Sequence, residues 1–114
     1  MGDFELRTVA DLRSSFPEKL APNSDEDLRT LIRYGLERSR VYGVINEDDV
    51  TRYFEYMVEY GADFDTAPGT WWAAPILTSP QKTGYEKMNE LDDLTTFDLR
   101  RAPHESSGEK ANRL

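Results

Sequence analysis

Apolar residues recur along this chain at three- and four-residue intervals, the spacing that lines one face of an α-helix. The clearest run is Leu28, Leu31, Ile32, Gly35, Leu36, Ser39 and Tyr42. Gly35 and Ser39 on that face are small enough to let a neighbouring helix approach closely. Ser24-Asp25-Glu26-Asp27 reads as a capping box at the start of this helix, because the serine hydroxyl can take the free amide of Asp27. Gly43 reads as its stop, since glycine adopts the left-handed conformation that ends helices. Arg38 and Arg40 fall in the last turns, where the helix dipole favours positive charge.

A second helix follows after the short link Tyr42-Gly43-Val44-Ile45-Asn46, with Asn46 as its N-cap and Glu47, Asp48 and Asp49 in its first turn. Its expected inner face is Val50, Phe54, Met57, Val58 and Gly61. So short a link makes the two helices antiparallel neighbours, an αα-hairpin over residues 25–61 with Val44 and Ile45 plugging its end. Upstream, Phe4, Leu6, Val9, Leu12 and Phe16 suggest another helix, with Asp3 or Thr8 as possible caps and Pro17 as its end. Residues 19–23 read as a connector. Downstream, Ala62 to Thr70 reads as a loop, and Pro75 limits Trp71–Leu77 to a kinked or late-starting helical turn. Thr83 with Glu86 forms a second capping box, opening a last helix through about Leu99 with Tyr85, Met88, Leu91, Leu94 and Phe97 as apolar positions. The fold class expected is all-α: a compact bundle of four to five helices built on the central hairpin. Leu28, Leu31, Ile32, Phe54, Met57, Val58, Met88 and Leu91 are its expected core.

Composition narrows the function. A chain of 114 residues fits one domain, assigned to 1–100, while residues 101–114 are Ser, Gly, Pro and charge and read as a disordered tail. The net charge of −8 would repel a nucleic-acid backbone or an anionic membrane and attract a basic protein surface. There are no cysteines, which excludes disulfides and thiolate metal sites. No apolar run approaches the roughly 18–20 residues of a membrane span, so a cytoplasmic protein is the expectation.

The candidate chemistry is thin. Asp63 and Asp65 invite a calcium loop, but Ala67 and Pro68 stand where that loop needs an oxygen ligand and a glycine, so solvated or capping roles are expected. The acids Glu47, Asp48 and Asp49 sit where helix dipoles collect them. The single histidine, His104, falls in the tail, and no nucleophile–base pair can be assembled without another histidine or a cysteine. The expectation is no enzyme, no cofactor and no metal. Tyrosines are more suggestive. Tyr53, Tyr56 and Tyr60 form a stripe about 80° from the core face of their helix, and Tyr34 and Val41 lie similarly off the face of the preceding one. Tyrosine offers contact area at low entropy cost and is enriched at interfaces. Interface and internal packing are both open for Tyr53 and Tyr60, while Tyr56 is read as interface. Trp71 and Trp72 point about 100° apart if helical, so one is expected as a core anchor and the other as a cover or docking residue. The candidate protein-binding residues are therefore Tyr34, Tyr53, Tyr56, Tyr60, Trp71 and Trp72.

Several of these stretches resemble a family of small helical proteins encoded beside bacterial type VI secretion spike, PAAR and effector genes. The stretches are Phe16-Pro17-Glu18, residues 28–35 from Leu28 to Gly35, residues 40–44 from Arg40 to Val44, and Gly61-Ala62-Asp63-Phe64-Asp65. Residues 72–77 from Trp72 to Leu77, followed by Lys87-Met88, complete the pattern, which covers roughly residues 9–95. Pro75 and the acidic Ser/Gly tail depart from it. The resemblance implies an accessory role: a chaperone, co-chaperone or adaptor for a secretion effector or its loading adaptor. An immunity protein that blocks a toxin is the nearest alternative, and a carboxylate-dependent enzyme the outsider.

Overall fold

The capping box at Ser24 forms as the sequence predicts. The Asp27 amide donates to Ser24 Oγ at 3.0 Å and the Ser24 amide donates back to Asp27 Oδ2 at 3.3 Å. These bonds open α2, Asp25–Val41, in a computed structural model that describes residues 2–99, with side chains described from Phe4 to Thr96. The tail assigned to 101–114 and the Phe97 side chain lie outside the described residues. Around α2 stand α1 (Gly2–Ser15), α3 (Glu47–Tyr60), α4 (Ala73–Leu77) and α5 (Gly84–Asp93), so the described chain is all-α. None of these helices is long and apolar enough to cross a membrane.

α2 ends in a Schellman arrangement. The Val44 amide reaches back to Ser39 O at 2.9 Å and the Gly43 amide to Arg40 O at 3.0 Å, with Gly43 at φ +77°. The hairpin this creates packs without a spacer. A Cβ added at Gly35 would lie 2.6 Å from Met57 Sδ and 2.7 Å from Phe54 Cε1, so the helices meet where glycine leaves room. Leu28, Ile32, Val50, Phe54, Met57, Met88 and Leu91 are buried, while Leu31 and Val58 are only partly so. Gly61 is exposed and serves instead as the C-cap of α3, at φ +115°.

α1 lies against α2, with its Val9 and Leu12 in the core and Arg33 of α2 donating to Glu5 at 3.1 Å. Thr8 does not cap it. The helix starts at Gly2, so Asp3 falls in its first turn and Thr8 is buried mid-helix. The connector after Pro17 is more than a spacer. Leu20 is buried, and Arg13 fixes the loop by donating to the carbonyls of Leu20 (3.2 Å) and Asn23 (2.7 Å).

Pro75 is accommodated because α4 begins at Ala73, placing proline in the first turn, where an amide has no intrahelical partner. α5 opens on the predicted Thr83–Glu86 capping box. It stops being a regular helix at Asp93 and continues as a π-turn, Leu94–Leu99. There Thr95 Oγ1 donates back to Leu91 O at 3.0 Å, competing with the backbone for that carbonyl. Tyr85 is not an inward position. Gly84 abuts the hairpin turn, its hypothetical Cβ 2.5 Å from Gly43 O, and the Tyr85 ring turns out to lie 5.7 Å from the Arg52 guanidinium. Lys87 takes an inner place instead, donating at 2.7 Å to the Tyr42 carbonyl at the negative end of α2.

Candidate functional site

The tyrosine stripe expected on α3 does not face solvent. Tyr53 is fully buried between Tyr42 and Phe64, at centroid distances of 6.4 and 5.0 Å. Tyr56, read from sequence as an interface residue, is buried too. Its ring stacks on Phe64 at 5.7 Å, and its hydroxyl donates to Asp92 at 2.7 Å and lies 3.1 Å from Thr95 Oγ1. Tyr60 is half-buried, stacked on Tyr56 at 5.8 Å and edge-on to Trp72 at 5.1 Å. The reason is that α3 is covered by α2, by α5 and by Phe64 of the segment that follows it. Its buried arc is therefore wider than the seam through Val50, Phe54 and Met57, and takes in positions 80° away. Burial drives the phenol pKa values of Tyr53 and Tyr56 well above the ordinary tyrosine range, so both stay neutral.

The other candidates divide as their chemistry suggests. Trp72 is a core anchor, whereas Trp71 is 71 % exposed. Tyr34 is partly exposed, its hydroxyl donating to the Asp63 carboxylate, a bond that raises its pKa. The structure thus leaves Trp71 and Tyr34 open, half-buries Tyr60, and places Tyr53, Tyr56 and Trp72 inside.

Asp65 is neither solvated nor a helix cap. It is buried in the interior, where Oδ2 accepts from Arg38 Nε at 2.9 Å, from a second Arg38 nitrogen, and from the Tyr42 hydroxyl at 2.7 Å. Its Oδ1 and the Tyr53 hydroxyl have no protein hydrogen-bond partner among the described residues. With Thr70 donating to Phe64 O, these bonds hold residues 61–70 against the hairpin. Asp49, expected as a dipole acid, is buried and accepts from Arg52 at 2.8 Å. Arg52 also reaches Asn89 at 2.9 Å and Asp92 at 2.7 Å, tying α3 to α5.

Three of the exposed large apolar side chains flank the closed end of the hairpin in sequence. Val41 is 74 % exposed, Ile45 72 % and Tyr85 60 %, and each lies within two residues of the close contact between Gly84 and Gly43-Val44. Ile45 was expected to plug this end, but only Val44 does so. Beside them Asn46, Glu47, Asp48, Asp49 and Tyr85 line an open depression of ≈ 460 Å³. Tyr85 therefore shares an open depression with the acids of the first turn of α3. Periodicity marked Val41 as off the core face, but could not bring Tyr85 beside the hairpin turn, because that contact depends on how α5 docks. Among the described residues no group of three or more histidine or carboxylate side chains is arranged to hold a metal ion.

No protein-family model, curated protein or solved structure matches this chain.

Proposed function

We propose that this protein is a protein-binding accessory factor. The observation that carries the reading is the exposure of Val41, Ile45 and Tyr85 near the closed hairpin end, with Glu47 and Asp48 beside Tyr85 in one depression. The core is complete without these three side chains, and apolar residues grouped on a surface mark contact sites. A polar rim around an apolar centre is the usual anatomy of a protein interface. The acids of that rim, in a chain of net charge −8, favour a partner with a basic surface. Trp71 and Tyr34 offer further aromatic contact on the outside.

The resemblance of residues 9–95 to proteins encoded beside type VI secretion genes supports a more specific role. In this reading the protein is a chaperone, co-chaperone or adaptor that holds an effector, or its loading adaptor, in the cytoplasm before secretion. The acidic surface also favours a second reading, an immunity protein that covers a basic toxin. Both are binding roles without catalysis. Affinity capture from the native host, with wild-type protein and with Ile45→Asp side by side, tests the reading. An effector or adaptor recovered only by the wild type supports the chaperone role, whereas a toxin whose lethality the protein suppresses supports immunity. Equal recovery by both proteins would move the interface away from the hairpin end, and recovery of no partner by either would count against binding altogether.

A further inference from the structure

A second concavity lies at the other end of α3, between Phe16 at the end of α1 and Asp92, Thr95 and Thr96 at the junction of α5 with the π-turn. Its volume is ≈ 180 Å³, well below the roughly 300 Å³ at which pockets begin to enclose a cofactor or drug-sized ligand. It has room for one side chain. Its wall is the Tyr56–Tyr60 stack, rings 5.8 Å apart and inclined by 19°, with the Tyr56 hydroxyl tied to Asp92 and so fixed in place. Around that aromatic surface stand three carboxylates, Glu55, Glu59 and Asp92, and among the described residues no basic one lines the space.

Asp92 is already partnered by Arg52 and Tyr56. Glu55 and Glu59 are not: among the described residues no cation lies within salt-bridge distance of either carboxylate. Lys19 reaches only the Glu59 carbonyl, at 3.4 Å. Burial, reinforced by Asp92 and Asp11 and opposed by Arg52, raises the Glu55 pKa above its ordinary value, so its charge is held there at a cost. A cation entering the cleft would offset that cost and meet the half-buried Tyr60 ring as well, the two features that favour guanidinium over a neutral group.

We infer that this cleft receives an arginine side chain from the protein partner, with the half-buried Tyr60 ring against the guanidinium and Glu55 and Glu59 as its acceptors. The inference rests on the protein-binding reading and adds a second contact, toward the opposite end of α3 from Ile45. The chain itself carries Arg100 and Arg101 just beyond Thr96, and their competition must be measured.

The test uses the full-length protein labelled with nitrogen-15 and the blocked tripeptide acetyl-Gly-Arg-Gly-amide, with citrulline replacing arginine as the uncharged control. The expected result is saturable amide shifts concentrated at Glu55, Glu59, Tyr60, Thr95 and Thr96, with an affinity on the order of millimolar. The citrulline peptide should leave these signals in place. Glu55→Gln with Glu59→Gln should weaken arginine binding about tenfold while the rest of the spectrum stays folded. Arg100→Ala with Arg101→Ala should change nothing. Equal shifts with citrulline, or none at the cleft, would overturn the inference even if partner capture at the hairpin end succeeds. Binding that emerges only in the Arg100→Ala, Arg101→Ala protein would overturn it too, because the cleft would then belong to the chain's own arginines.

Discussion

Helix α3 and the segment from Gly61 to Thr70 both pack on α2, but through different chemistry. α3 meets α2 at Gly35, where the absence of a Cβ lets Phe54 and Met57 press against backbone. The 61–70 segment meets it through one carboxylate, Asp65, buried beneath Arg38 and Tyr42. Apolar contacts of the first kind tolerate small shifts, since dispersion and burial vary smoothly with distance. A buried charge does not, because losing its partner leaves an uncompensated carboxylate in the interior. The contrast teaches where this small domain is vulnerable: in the polar clamp on its loop more than in its hairpin seam.

The sharpest way to break that contrast is Arg38→Met, which keeps the apolar stem and removes the two guanidinium donors to Asp65, leaving only the Tyr42 hydroxyl. Urea unfolding should show a loss of about 3 kcal/mol. A loss under about 1 kcal/mol would mean the loop is held by Phe64 and Trp72 alone. Gly35→Ala attacks the hairpin seam instead. Its methyl must displace Phe54 and Met57, so a cost of about 2 kcal/mol is expected, after the small helix-propensity gain of alanine. If Gly35→Ala proves costlier than Arg38→Met, the ranking of the two regions is reversed.

Tyr53→Phe sharpens the comparison in the opposite sense. The hydroxyl is buried without a protein partner, so its removal should stabilise the fold by about 1 kcal/mol. A loss of stability on the same measurement would show that the hydroxyl belongs to the Asp65 network. Glu55→Gln is the smallest expected effect and depends on pH. Because the folded-state pKa of Glu55 is raised, its carboxyl favours the fold when protonated, and that contribution is lost as pH rises through the raised value. Variant and wild type should therefore be equally stable well below the unfolded value of 4.5, with the glutamine variant ahead at neutral pH. Parallel melting curves at acidic and neutral pH check this; a wild type that is ahead at neutral pH would contradict it.

Much of the fold was legible because it is written in local signals. Ser24, Thr83 and Gly43 act on residues three to five positions away, and the Leu28–Ile32–Gly35 stripe follows from helix period alone. Contacts set by docking were not legible. Tyr56 and Tyr85 have the same amphipathic chemistry, yet α5 covers the first and leaves the second outside. Asp65 lies in a loop that reads as polar and solvated, and only the folded chain brings Arg38 across to it. Of the exposed aromatic residues proposed to bind, Trp71 could be foreseen as one of an adjacent pair that cannot share a face. Ile45 could not, since a hairpin turn has no period to reveal which residue faces in.

On the proposed reading, Val41, Ile45 and Tyr85 are spare to the fold and serve a partner. The most direct measurement replaces all three with serine and follows two quantities on the same protein: its melting temperature, and its affinity for the captured partner by titration calorimetry. The account predicts a melting temperature within a few degrees of wild type and an affinity at least about 30-fold weaker. An unchanged affinity, or a protein that melts far below the wild type, would contradict it.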